Sequence, residues 1–154
     1  MLIDDGQFIE AWQRWGKASA AEQLRGFLPG NTLEIVIVPT IPPLLAGTSR
    51  SISKAWFGVK SPETASDPTV NAAWTSASGL QSITTTETSG RGWIVSSSES
   101  SPELRFDLTA ANTVQLSAHK TYHYSIQVLM SDGAIYEVDR GQFDTGKQLI
   151  TATS

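Results

Sequence analysis

From residue 31 onward, apolar and polar side chains alternate along the chain with the period of two that is typical of β-strands. The segments "SISKAWFGVK" and "ELRFDL" show this alternation most clearly. One face is predicted to point into a core, and it comprises Ala55, Phe57, Val59, Leu104, Phe106 and Leu108. The residues predicted to point away from that face are Ser53, Trp56, Lys60, Arg105 and Asp107.

Further strands are predicted in "NTLEIVIVPTI", which ends at Pro39, and in "SITTTETSG" and "RGWIVSSSES". One helical turn is expected to begin at Thr109. In all, the region after residue 30 predicts about seven short strands at intervals of about ten residues, and the strands do not alternate with helices. This pattern is typical of antiparallel β-sandwiches rather than of parallel α/β sheets. The sequence therefore predicts a mainly β protein with a sandwich domain over residues 31–154.

The first 30 residues have a different pattern. Phe8, Ile9, Trp12 and Trp15 recur at spacings of three and four, which places them on one face of a helix. We expect one broken helix or two short ones over residues 5–28, within an N-terminal helical segment spanning residues 1–30. So large an apolar face must be covered, either by the chain's own sandwich or by another subunit. Phe8, Trp12 and Trp15 are therefore candidate interface residues.

The segment from Thr121 to Phe143 predicts a β-hairpin. A three-residue loop over residues 131–133 sets Met130 opposite Ala134 and keeps apolar residues on one face, whereas a two-residue loop would mix the faces. Gly133 can adopt the left-handed conformation that such a loop requires, so Asp132 and Gly133 are predicted to form a structural turn. The predicted pairs are Val128–Tyr136, Gln127–Glu137, Ile126–Val138, Ser125–Asp139 and Tyr124–Arg140. Tyr122, Tyr124, Ile126 and Val128 are expected to be buried.

Composition and charge narrow the choice of function. The chain has 154 residues and a formal net charge of -4, and this length suits one domain, or one domain with a small appendage. It has no cysteine, which excludes disulfides and thiolate chemistry. Basic residues are scattered singly, so we expect no nucleic-acid partner. The N-terminus lacks the pattern of a signal peptide, and no apolar run is long enough to span a bilayer. We expect a protein made in the cytoplasm that does not associate with membranes.

The residues capable of catalysis do not form a recognisable motif. His119 and His123 are four apart, a spacing that would pair them on a helix but separates them by about 13 Å along a strand. The acid pairs Asp4/Asp5, Asp139/Asp144 and Glu99/Glu103 could do acid–base chemistry, but nothing selects one of them. We therefore predict no catalytic residue, no metal site and no cofactor, and an enzyme ranks last among the functions considered.

The tryptophans are the strongest candidates for binding. Trp74 lies among small and polar residues, which leaves three possibilities open: an exposed platform for a sugar ring, an anchor in a protein interface, or a plug at the end of the sandwich. Trp93 is a second candidate sugar platform. Trp74 joins the interface candidates of the N-terminal segment.

Three segments together resemble the immunoglobulin-like N-terminal domain of phage baseplate upper proteins and related prophage tail proteins. They are the Phe-x-Val-Lys strand end at residues 57–60, the Thr-rich crossing at 104–116, and the hairpin that runs from Tyr122 to Arg140-Gly-x-Phe143. Ser125 departs from this family pattern, in which Asp is usual. The resemblance covers roughly residues 31–145 and implies an immunoglobulin-like sandwich that serves as a non-catalytic building block of a tail or baseplate.

The leading hypothesis is therefore a structural or assembly module of a phage or prophage tail, which acts through protein–protein surfaces. Its expected partners are other tail or baseplate proteins, or further copies of itself, and its expected final location is the virion tail. The alternative hypothesis is a carbohydrate-binding β-sandwich module with an exposed tryptophan platform.

Overall fold

The computed structural model describes residues 20–25, 27–42, 49–71, 74–86 and 92–146. These residues form seven strands and two short helices. The strands are β1 (Leu33–Ile37), β2 (Ile52–Lys60), β3 (Ser78–Ile83), β4 (Gly92–Ser96), β5 (Glu103–Leu108), β6 (Thr121–Met130) and β7 (Ile135–Asp144). The helices are α1 (Ala20–Leu24) and α2 (Ala110–Thr113).

The strands pair into two antiparallel sheets. One sheet has three strands in the order β1-β5-β4, and the other has four in the order β3-β2-β6-β7. The connections β1–β2, β3–β4 and β5–β6 cross between the sheets. In the nomenclature of immunoglobulin domains, β1, β5 and β4 correspond to strands B, E and D, and the other sheet corresponds to C′, C, F and G. The predicted immunoglobulin-like sandwich is confirmed.

The core lies between the sheets, where the alternating apolar faces meet. Phe57 of β2 and Phe106 of β5 are fully buried, and their ring centroids are 5.6 Å apart. The predicted inward faces of these strands and of β6 are buried as expected. Burial of large apolar side chains is the main contribution to stability, at about 25 cal/mol per Å² of apolar surface.

Helix α1 covers the side of the sandwich where β1 and β7 lie at the sheet edges. Ala20 and Leu24 are buried, and Phe27 packs edge-on against Phe143 of β7, with centroids 6.4 Å apart. The side chain of Gln23 accepts a hydrogen bond from the N–H of Val36 and donates one to its C=O. This part of the predicted helical segment therefore packs on its own sandwich. The interface candidates Phe8, Trp12 and Trp15 lie outside the described residues.

The β6–β7 hairpin has the predicted loop and part of the predicted register. Met130 and Ala134 are hydrogen-bonded partners, and Gly133 has a φ of 90°. The pairs Val128–Tyr136 and Gln127–Glu137 are confirmed.

The remaining three hairpin pairs were predicted wrongly, because a β-bulge shifts the register by one residue at Val138. Ile126 pairs with Asp139, Ser125 with Arg140 and Tyr124 with Gly141. The bulge turns Asp139 inward, where its carboxylate accepts hydrogen bonds from the Tyr124 hydroxyl at 3.1 Å and from the N–H of Ala20 at 2.7 Å. Two polar partners therefore favour an inward Asp139 over simple alternation.

Two other local predictions had different outcomes. The helical turn begins where expected: Thr109 is the N-cap of α2, and its side chain forms a capping box with Asn112. In contrast, β3 spans residues 78–83 and ends before most of the Thr-rich segment that was predicted as a strand. Asn71 binds the free edge of β3, since its N–H donates to Leu80 and its side chain accepts from the N–H of Ser82. This binding occupies edge groups that another strand could have used.

Candidate binding surface

Trp74 is not an exposed binding residue. Only 5% of it is exposed, and its ring stacks on Phe57 with centroids 6.4 Å apart. Gly79 makes room for the ring, because a Cβ at that position would overlap Trp74. The prediction of Trp74 as an interface residue or sugar platform is therefore wrong, and the third possibility, a buried plug, is correct. Its small neighbours in the sequence do not indicate what packs against it in three dimensions.

An open groove lies instead on the outer face of the four-stranded sheet, with a volume of about 830 Å³. Outward side chains of β2, β6 and β7 form its floor in three cross-strand rows. The rows are Trp56–Gln127–Glu137, Gly58–Ser125–Arg140 and Lys60–His123–Gln142. The middle row contains the two smallest residues, Gly58 and Ser125, so the sheet surface is low at its centre and higher on both sides.

The β2–β3 connection forms one wall of the groove through ion pairs. Lys60 Nζ is 2.8 Å from Asp67 Oδ1, and this pairing holds the pKa of Asp67 below its ordinary value. Glu63 reaches across to β7, where its Oε1 is 3.2 Å from an Arg140 nitrogen, and its Oε2 is 4.0 Å from His123 Nδ1. These charged side chains of the groove are therefore paired with one another, and each exposed pair adds little to the stability of the fold.

Apolar side chains make up the remaining lining. Trp56 is half-buried in the floor, and Leu80 lies beside Gly58. Val70 and Ile135 line the groove with exposed fractions of 44% and 59%, which is high for large aliphatic residues. Such a combination of an aromatic anchor, exposed aliphatic residues and polar groups at one depression is typical of binding surfaces.

Trp56 was predicted to point outward but was not selected as a binding candidate. The alternation in β2 contained the signal, since a large aromatic residue adjacent to inward Phe57 must lie on the outer face. Its ring is contacted by Lys54, whose Nζ is 5.4 Å from the ring centroid.

The outer face of the three-stranded sheet differs from the groove. Arg105 lies at its centre, with its guanidinium 4.6 Å from the Trp93 ring centroid and 2.6 Å from Glu34 Oε2. A second nitrogen donates to Asp107 Oδ1 at 2.9 Å. One face of the Trp93 ring is therefore occupied by the guanidinium, which weakens the prediction of Trp93 as a sugar platform.

At one end of the sandwich, Arg50 joins three loops. Its side chain is 2% exposed and binds Glu99 of the β4–β5 turn at 2.9 Å and Asp132 of the β6–β7 turn at 3.3 Å. It also donates to Tyr136 Oη at 2.8 Å and to the C=O of Pro42 at 2.6 Å.

Hydrogen bonds from Arg50 to Glu99 and Tyr136 raise the pKa of the guanidinium above its ordinary value. The N–H of Ala134 and the charge of Arg50 lower the pKa of Asp132.

At the opposite end, Tyr122 joins two connections through its hydroxyl. Tyr122 is fully buried at the start of β6. Its hydroxyl accepts from the N–H of Ser117 at 2.7 Å and donates to the C=O of Ser76 at 2.7 Å. The bond to a backbone group five residues upstream corresponds to the tyrosine corner of immunoglobulin-like domains.

The two histidines lie in different parts of the described structure. His123 lies in the groove, whereas His119 lies in the β5–β6 connection, with a φ of 53°, and is not part of the lining. Over residues 20–146, apart from the gaps given above, no three His, Asp or Glu side chains are grouped so that they could hold a metal ion.

Within the same ranges, no helix has the length and apolar character needed to cross a membrane.

Comparisons with protein-family models, with curated proteins and with solved structures give no match.

Proposed function

We propose that this chain is a non-catalytic assembly module of a phage or prophage tail, and that it binds a protein partner through the groove on its four-stranded sheet. The groove carries the binding part of the proposal, because it combines Trp56 with exposed Val70 and Ile135 over a polar floor. The resemblance at residues 57–60, 104–116 and 122–143 supports the assignment to tails.

The groove suits a protein segment better than a charged ligand. Its two basic side chains, Lys60 and Arg140, are paired with carboxylates of the same surface. A partner therefore gains little from a charge of either sign, and apolar contact with aromatic anchors would supply most of the affinity.

The test uses the proteins encoded beside the gene for this chain, among which tail or baseplate proteins are the expected binders, with binding measured by calorimetry. Ser125→Trp fills the low centre of the groove and should weaken binding at least about tenfold. The control is Val95→Trp on the opposite sheet, where Val95 is 45% exposed, and it should leave binding unchanged. Binding that is lost with Val95→Trp but retained with Ser125→Trp would contradict the groove assignment. No binding to any of these proteins would contradict the assignment to a tail.

Carbohydrate binding is the second candidate, and Trp56 is the observation in its favour. Gln127 lies directly opposite Trp56 on β6, so an indole ring and an amide adjoin in the groove, as sugar recognition requires. Soluble glycans should then quench tryptophan fluorescence, and Trp56→Ala should abolish the quenching while Trp93→Ala should not. Unchanged fluorescence across a broad glycan set would exclude this alternative.

A further inference from the structure

We propose that the connection between β2 and β3, residues 61–71, is a strap that closes one end of the groove and opens when its exposed ion pairs break. Its two ends are anchored to strands by hydrogen bonds, whereas its middle is held by charged side chains. That the opening admits a partner rests on the proposed function, but the opening itself does not.

The two ends of the strap are fixed to the sheet. At one end, the hydroxyl of Ser61 donates to the C=O of Thr121 at 2.8 Å. At the other end, the N–H of Asn71 donates to the C=O of Leu80 at 3.0 Å. The Asn71 side chain also accepts from the N–H of Ser82 at 3.0 Å and donates to its hydroxyl at 2.9 Å. These anchors confine any movement to the residues between them.

The middle of the strap is held by weak interactions. None of the residues 61–71 is buried, so apolar burial contributes little to holding them in place. The ion pairs join Lys60 to Asp67, whose side chain is 90% exposed, and Glu63 to Arg140, whose side chains are 58% and 67% exposed. Such pairs are worth little and are screened by salt. The closed strap is therefore only slightly favoured, and salt or a ligand that prefers the open form would release it.

The strap closes the groove through the side chain of Glu63. Lys60 at the end of β2 pairs with His123 of β6, and Glu63 follows three residues later. Its Oε2 is 4.0 Å from His123 Nδ1, and its Oε1 is 3.2 Å from a nitrogen of Arg140 on β7. The side chain thus lies across β6 and bounds the groove at this end. When the strap opens, Glu63 leaves both residues and this end of the groove is uncovered.

Two spin labels can measure the opening, because the chain contains no cysteine. Thr64→Cys places one label on the strap, and Ser53→Cys places the other near the far end of β2, about 23 Å from Lys60 along the strand. At low salt we expect one narrow distribution of distances. Glu63→Gln combined with Asp67→Asn should add a second, broader population and raise the ratio of open to closed strap about fivefold. Salt at about 1 M should change the wild-type strap in the same direction.

The matched control is Glu34→Gln combined with Asp107→Asn, which removes two carboxylates from Arg105 on the opposite sheet and should leave the distances unchanged. Identical distributions in all variants at low and high salt would overturn the proposal, and so would an equal change in the control. Thermal unfolding checks that each variant folds, and the salt series on the labelled wild-type strap tests the opening even if one does not. No partner enters these measurements, so failure of the proposed function would be seen separately.

Discussion

The two ends of the sandwich are held by different chemistry. At one end, charged Arg50 binds carboxylates from two turns and a carbonyl from a third segment. At the other end, the neutral hydroxyl of Tyr122 joins the backbone of Ser76 to that of Ser117. Both devices stabilise loops in a chain without disulfides. They differ in what remains when they are broken.

This difference sets the size of each effect. Removal of Arg50 leaves Glu99, whose side chain is 14% exposed, without its main counter-charge. An uncompensated, nearly buried charge is among the most destabilising consequences of a single substitution. Removal of the Tyr122 hydroxyl leaves two neutral backbone groups, which cost less to desolvate. The ionic end should therefore be more sensitive to mutation and to acid.

The largest effect is expected for Arg50→Met, which removes the charge and keeps much of the side-chain volume. The melting temperature should fall by about 10 °C, because Glu99 loses its partner and three loops separate. The matched control is Arg105→Met, whose side chain is 31% exposed and whose loss should cost about 3 °C or less. Equal losses for the two variants, measured by calorimetry, would show that burial does not distinguish the two arginines.

Tyr122→Phe should have the next largest effect. It keeps the ring that stacks on Phe143 with centroids 5.8 Å apart and removes only the hydroxyl. The free energy of unfolding should fall by about 1–3 kcal/mol, because the N–H of Ser117 and the C=O of Ser76 each lose a part-buried hydrogen bond. Denaturant titration measures this loss. A loss as large as that of Arg50→Met would remove the contrast between the two ends.

Gly79→Ala tests packing next to the tyrosine end, where Trp74 covers β3. An added methyl group would overlap the Trp74 ring, so we expect a loss of about 1–2 kcal/mol after the gain from a less flexible unfolded chain. Gly58→Ala is the matched control on β2, since its methyl group would meet the movable end of Leu80 at 3.0 Å and the C=O of Gly79 at an ordinary contact distance of 3.8 Å. Denaturant titration should show little change for this control. A neutral Gly79→Ala would contradict the buried position of Trp74.

The smallest effect is expected in the pH dependence of Asp132→Asn. The pKa of Asp132 is lower in the folded protein than in the unfolded chain, where it is about 3.9. Its contribution to stability is therefore fully present above pH 5 and is lost as the pH falls through the folded value, below about pH 4. Wild type should lose more stability between pH 5 and pH 3 than Asp132→Asn. Tyr122→Phe should lose as much stability between pH 5 and pH 3 as the wild type does. A different loss in that variant would contradict the assignment of the acid sensitivity to the Arg50 end.

The sequence was sufficient to predict the sandwich because period-two alternation directly reports which side chains face a core. Phe57, Phe106 and Tyr122 were assigned to the core in this way and are fully buried. The hairpin turn was predictable for a local reason, since Gly133 suits a backbone conformation that other residues adopt with strain.

Features that depend on distant residues could not be predicted in the same way. The bulge at Val138 follows from Asp139 meeting Tyr124 and Ala20, which are remote in sequence. The burial of Trp74 depends on Gly79, which leaves space for the ring because it has no Cβ, and the sequence does not show that these two residues meet. Arg50 and Glu99 are separated by 49 residues, and no local pattern relates them. Of the aromatic residues in the groove, Trp56 was predicted from the sequence to point outward. Its place in a candidate binding surface was not predicted.

Two single residues also protect sheet edges. The side-chain amide of Gln23 binds Val36 of β1, and Asn71 binds β3 through its backbone N–H at Leu80 and its side-chain oxygen at Ser82. Exposed edges are templates on which further strands can add, and sheets that grow in this way form fibres. With these groups occupied, an incoming strand finds neither Val36 of β1 nor Leu80 and Ser82 of β3 available for pairing. At these points the two edges are closed to growth of the sheet.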